Sequence, residues 1–80
     1  MDNIAEEIDA RGLICPLPVL RLRKRLAVRA PGEVVRMLAD DPVAVIDVPH
    51  FCAEAGHVLL STGDGEDATG RWQVYEIRKG

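Results

Sequence analysis

The sequence predicts an α+β fold: a two-layer α/β sandwich of order βαβαββ, with a four-stranded mixed sheet and two helices on one face. Three observations lead there. Apolar residues recur at helical spacing after Pro16 and again after Pro42. Short runs rich in Val, Ile and Leu precede and follow each of these segments. The last two runs are consecutive, which suits a closing hairpin. The chain has 80 residues, enough for one domain spanning 1–80 with one modest core.

Taken in order, Ile4 to Asp9 has strand character, with Ile4, Glu6 and Ile8 on one side and Ala5, Glu7 and Asp9 on the other. Ala10-Arg11-Gly12 is a turn signal. From Pro16 to Ala30 the period changes: Val19, Leu22, Leu26 and Ala27 fall on one helical stripe, and Pro31-Gly32 stops the helix. Glu33 to Ala39 reads as a strand buried on much of both faces. Asp40-Asp41-Pro42 then opens a second helix, the carboxylates capping free N–H groups. That helix is expected to reach Ala55 and end at Gly56. Pro49 should kink or divide it, with Asp47 capping the restarted half. His57 to Ser61 is a short strand, Thr62 to Gly70 a polar loop, and Arg71 to Arg78 the closing strand.

Composition narrows the function classes. The chain is 48% hydrophobic and 29% charged, an ordinary globular balance, with one each of Trp, Tyr and Phe. A fold this small leaves little room for an internal active-site cavity, so chemistry is expected at the surface or at an interface. No apolar stretch approaches the roughly 20 residues that span a bilayer. The acidic start, Met1 to Glu7, lacks the basic region and apolar run of a signal peptide, so a cytoplasmic location is expected. The net charge of −3 argues against broad adhesion to nucleic acid. In a reducing compartment Cys15 and Cys52 are expected as free thiols.

Cys15 carries the chemical signal. It follows Gly12-Leu13-Ile14 and precedes Pro16-Leu17-Pro18, where the first helix begins. Both prolines fit a first helical turn and stiffen the exit from the preceding turn, so the thiol is aimed. The helix dipole at that end favours an anion and is expected to lower the thiol pKa. The spacing leaves a second reading open, a small buried cysteine at a strand–helix junction. Pro18 occupies the place a second cysteine would take in a C-x-x-C pair, which excludes dithiol cycling within the motif and leaves single-thiol chemistry.

Other residues weigh less. Cys52 lies on an apolar helical stripe with Val45, Val48 and Ala55 and reads as a core thiol. His50 and His57 lack the paired spacing of a zinc site, so no metal and no cofactor is expected. Arg21, Arg25 and Arg29 stand one turn apart on the first helix, where like charges repel. With Arg23 and Lys24 they read as a solvated face or as a surface for an acidic protein partner. No aromatic residue is interleaved to stack bases, so RNA is not the expected partner.

Asp9-Ala10-Arg11-Gly12-Leu13-Ile14-Cys15-Pro16-Leu17-Pro18 resembles the signature of the TusA-like (SirA/YedF-related) sulfur-carrier family, in which Gly-Leu-x-Cys-Pro-x-Pro opens the first helix. The resemblance continues through Arg23-Lys24, Pro31-Gly32-Glu33, Ala39 to Pro42, Asp47, Pro49, Phe51-Cys52, Gly56-His57 and Ile77 to Gly80. It implies the βαβαββ fold and a sulfurtransferase that carries a persulfide on Cys15, with Gly12, Pro16 and Pro18 in support. Sulfur would come from a cysteine desulfurase or rhodanese-like donor and pass to an acceptor protein, in tRNA thiolation, sulfur oxidation or cofactor sulfuration. Helix dipole and nearby Arg or Lys would stabilise the anion, and Arg21, Arg23, Lys24 and Arg25 would dock partners to a monomeric carrier. Two alternatives stand beside it: a non-catalytic interaction module with a structural or redox-sensitive Cys15, and a metal-binding chaperone.

Overall fold

A computed structural model describes residues 3–80; Met1 and Asp2 of the acidic start lie outside the described residues. Within these, strands β1 (Ile4–Asp9), β2 (Val34–Ala39), β3 (Val58–Asp67) and β4 (Gly70–Arg78) form one sheet, with helices α1 (Leu17–Ala27) and α2 (Ala44–Ala55) in the order βαβαββ. The sheet order is β1-β2-β4-β3. Strands β1 and β2 are parallel, with Ile8 opposite Met37, while β4 runs antiparallel to both β2 and β3. The expected mixed sheet is therefore observed.

Strand periodicity explains the layering. Ile8, Val35, Met37, Ala39, Tyr75 and Ile77 point to the helix-covered face and are buried. Leu22 and Leu26 of α1, with Ala44, Val48, Phe51 and Cys52 of α2, close over them. On the opposite face Arg36 lies between Glu7 and Glu76, its guanidinium 3.8 Å and 2.9 Å from their carboxylates. Val34 and Leu38, on that same face of β2, are also buried, as the near-continuous apolar run predicts.

Three expectations change. Helix α1 ends at Ala27 rather than Ala30, and Ala27 itself is exposed. The Lys79 ammonium caps the Leu26 carbonyl at 2.9 Å, and the chain beyond is free to turn Arg29 toward Glu6 and Glu33. Helix α2 runs unbroken through Pro49 from Ala44 and ends at Gly56, whose φ of 79° is left-handed. The segment Thr62 to Gly70 is not a loop: β3 continues to Asp67, and only Ala68-Thr69 turn the hairpin. Its polarity misled because this is an edge strand, and Gly65 lies opposite Trp72 with the indole against its backbone.

Candidate functional site

Parallel pairing of β1 and β2 places the segments that follow them at the same end of the sheet. The first runs from Ala10 to Pro16 and the second from Asp40 to the opening of α2. Ala10 N–H extends the ladder to the Leu38 carbonyl at 2.8 Å, which keeps the two chains side by side as they leave. Gly12 follows with φ +82°, a conformation that favours glycine. Its N–H donates to both carboxylate oxygens of Asp40, at 3.0 and 3.1 Å. The Arg11 guanidinium pairs with Asp9 at 2.9 Å and stacks on Trp72 at 4.6 Å, anchoring the turn from its other side.

Cys15 stands one residue before the N-cap of α1, which is Pro16, and the peptide bond joining them is cis. The thiol is exposed. The Cys15 backbone N–H donates to Asp41 Oδ2 at 2.6 Å, and Cys15 Sγ donates to Asp47 Oδ2 at 3.1 Å. Pro18, in the first turn of α1, is buried, whereas Pro16 stays exposed.

These contacts correct the electrostatic expectation for the sulfur. The hydrogen bond to Asp47, the local desolvation it brings, and the negative charges of Asp47 and Asp41 all push the Cys15 thiol above its ordinary pKa. The helix end would favour a thiolate, but the charges of Asp47, in direct contact with the sulfur, and of Asp41 act in the opposite sense. No Arg or Lys pairs with the sulfur among the described residues. The acidic residues are likewise not simple caps. Asp41 does accept the Val43 N–H at 3.2 Å, but its other oxygen holds Cys15, and α2 begins without a side-chain cap. Asp47 lies in the first turn of a continuous helix, so there is no restarted half for it to cap.

The basic residues of α1 divide between two surfaces. Arg25 forms a bidentate pair with Glu6 at 2.7 and 3.2 Å, and Arg29 reaches the same carboxylate at 3.1 Å. Arg29 lies beyond the end of α1, so the expected repulsion along the helix does not reach it, and both guanidiniums are neutralised from β1. Arg21 donates to the Asp9 carbonyl at 2.8 Å, and with Lys24 and Arg25 it borders a depression beside β1. Arg23 faces the other way. Its guanidinium lies 5.5 Å from the Phe51 ring, in a groove of about 150 Å³ between α1 and α2 that opens at Pro16 and Asp47. Of the four predicted docking residues, Arg23 is the one that shares a surface with Asp47.

Cys52 is buried, and burial raises its pKa. His50 lines the same groove and lies 3.1 Å from Glu54. His57 follows the far end of α2, where its Nδ1 accepts the Gly80 N–H at 3.0 Å. Neither histidine hydrogen-bonds to Cys15.

Residues 6–79 match the family model described as Sulfurtransferase TusA. The chain belongs to the TusA family. Two Neisseria meningitidis proteins, from serogroups A and B and provisionally named sulfur carrier proteins, are each 45% identical over 60 residues. These cover 75% of this chain and 81% of each relative. The crystal structure of a SirA-like protein from Desulfitobacterium hafniense is similar at 29% identity and a TM-score of 0.65, covering 90% of this chain and 95% of that one. In this TusA-family chain the Gly-Leu-x-Cys-Pro-x-Pro segment forms the turn and N-cap just described.

Sequence reasoning missed the roles of Asp40, Asp41 and Asp47. They lie 26 to 32 residues from their partners in the first turn. The βαβ order carried the signal: a parallel pair puts both following loops at the carboxyl end of the sheet.

Proposed function

We propose that this chain is a sulfur carrier that holds sulfane sulfur as a persulfide on Cys15 and relays it between proteins. The observation that carries the reading is the contrast between its two thiols: Cys15 is exposed on an anchored turn, and Cys52 is buried. Membership of the TusA family and the names of the Neisseria relatives support it.

The step is a sulfane transfer. Cys15 sulfur attacks the outer sulfur of a donor persulfide, supplied by a cysteine desulfurase or a rhodanese-like protein. A new S–S bond forms at Cys15 while the donor's own S–S bond breaks, and the donor leaves as a thiolate. An acceptor thiolate later attacks the outer sulfur of the Cys15 persulfide, releasing Cys15. The sulfane sulfur changes partner, and nothing is oxidised or reduced overall. Neither metal nor organic cofactor takes part in this scheme. The recipient pathway is one of tRNA thiolation, sulfur oxidation or cofactor sulfuration.

Because each partner supplies half of the reaction, specificity belongs to the surface around the thiol. The two segments that meet at Cys15 also expose Ile14, Leu17, Val43 and Ile46, an apolar margin that a docked protein would cover. Arg23 adds a positive charge along the α1–α2 groove. The whole chain acts as one monomeric domain in this reading. No helix among the described residues is long and apolar enough to cross a membrane, and we place the carrier in the cytoplasm with its donors.

Intact-mass spectrometry after incubation with a cysteine desulfurase and cysteine, or with a rhodanese-like protein carrying a persulfide, tests the proposal. The expected result is gain of one sulfur that is reversed by reductant, lost in Cys15→Ser and retained in Cys52→Ser. Absence of any adduct with either donor class, or an adduct that survives Cys15→Ser, would overturn it.

A further inference from the structure

We propose that Asp47 governs the Cys15 proton: its carboxylate holds the resting thiol as a neutral hydrogen-bond donor and takes up that proton when a donor persulfide is seated. The inference rests on the sulfur-carrier reading for its second half and on geometry alone for its first.

The geometry is a direct contact between a nucleophile and a base. Cys15 Sγ lies 3.1 Å from Asp47 Oδ2, within the reach expected of a general base. Both groups are held in place. The Cys15 backbone is tied to Asp41 at 2.6 Å, and Gly12 to Asp40 at 3.0 Å. Asp47 sits on the first turn of α2, where its own N–H bonds to the Val43 carbonyl at 2.9 Å. The charged groups around the sulfur are few. Asp41 and Asp47 approach from the β2–α2 side. Arg11, on the Cys15 turn, is occupied by Asp9 and Trp72. Arg23 of α1, with His50 and Glu54 of α2, lines the groove beyond Asp47.

This arrangement gives the thiol two states. In the free protein the half-buried Asp47 carboxylate accepts the thiol hydrogen bond, and its charge opposes a second anion beside it. An exposed thiol then reacts slowly with small oxidants and alkylating agents, because the thiolate is the nucleophile. A docked donor covers the Cys15–Asp47 pair and excludes solvent from it. Desolvation disfavours the ionised carboxylate and makes it the better proton acceptor. As Cys15 sulfur bonds to the donor's outer sulfur, its proton moves to Asp47 Oδ2 and the donor thiolate departs with the electron pair of the broken S–S bond. The proton on Asp47 then passes to that thiolate, so charge and protons balance. In the relay step Asp47 takes the proton of the acceptor thiol as that sulfur attacks, and returns it to Cys15 as Cys15 leaves.

The test uses Cys52→Ala protein, in which Cys15 is the one remaining thiol, with and without Asp47→Asn. Two rates are measured: iodoacetamide alkylation across pH, and initial sulfur uptake from a cysteine desulfurase with cysteine at saturating donor. Asp47→Asn is expected to shift the alkylation profile to lower pH and speed alkylation several-fold at neutral pH. It is expected to slow sulfur uptake at least about tenfold despite the larger thiolate fraction. An unshifted or upward-shifted alkylation profile overturns the proposal, as does unchanged or faster uptake. Asp47→Ser replaces Asp47→Asn if circular dichroism shows the amide variant unfolded. If the parent protein takes up no sulfur at all, the carrier reading fails, and the alkylation profile still decides whether Asp47 holds the thiol.

Discussion

At Cys15 the local chain and the distant chain act in opposite directions on one sulfur. The helix that begins after it favours an anion, while Asp47, bonded to the sulfur, and Asp41 disfavour one. The consequence is a pH dependence of known sign. Since the folded thiol titrates above the ordinary cysteine value, its thiolate fraction at neutral pH is smaller than that of a free thiol. Cys15 is therefore expected to be alkylated more slowly than glutathione at neutral pH, with the rate still climbing at pH values where glutathione has levelled off. A stopped assay with iodoacetamide in Cys52→Ala protein reads this directly; a profile lying below that of glutathione would restore the helix-dipole picture. Cys52 shows how far surroundings set reactivity, since burial among Val48, Phe51 and Tyr75 in the core removes it from solvent.

Among the elements, the β3–β4 hairpin departs most from what composition suggests. Its ladder runs from Val58 opposite Arg78 to Asp67 opposite Gly70, although Ser61 to Asp67 contains no large apolar residue. Trp72 stabilises this outer half by lying over Gly65, leaving no space for a Cβ there, and it also receives Arg11 from the Cys15 turn. Gly65→Ala is expected to destabilise the protein by about 1–3 kcal/mol through overpacking. Gly63→Ala, where a Cβ meets nothing within 4 Å, should stay within about 0.5 kcal/mol of the parent. Urea unfolding of the two variants measures the difference, and equal midpoints would show that the indole moves aside without cost.

Across the whole molecule, ion pairs tie α1 and the turns to the sheet edge. Arg11 holds Asp9 down to a pKa of about 2, and Arg25, followed by Arg29, lowers that of Glu6. Both carboxyl groups are more acidic folded than unfolded. Their contribution to stability is fully present above the unfolded carboxylate range near 4 and is lost as pH falls toward about 2. The melting temperature is expected to be nearly level from pH 7 to about 4.5 and to drop below it, with the acid-sensitive part reduced by added salt because the pairs are partly solvated. Thermal melts by circular dichroism across pH at two ionic strengths check this; a level profile down to pH 2 would show that these pairs are equally favourable in the unfolded chain.

Much of the architecture was legible in the residues themselves. The alternation in Ile4 to Asp9, the apolar run from Val34 to Ala39 and the stripe containing Leu22 and Leu26 each predict their element. Gly56 marks the end of α2, because burial patterns and left-handed caps are properties of neighbouring residues. Likewise Gly12, Cys15, Pro16 and Pro18 form a local motif, and their order alone nominates the thiol. Tertiary structure decided the sulfur's environment. Asp40, Asp41 and Asp47 read as caps along the chain, and they became partners of Gly12 and Cys15 only when parallel pairing of β1 with β2 set two loops side by side. The same holds for Arg25 of α1 and Arg29 just beyond its end, both of which are answered by Glu6 from β1. Periodicity records which face of an element is buried, whereas charge pairing depends on which loops a sheet brings together, and that second relation is long-range.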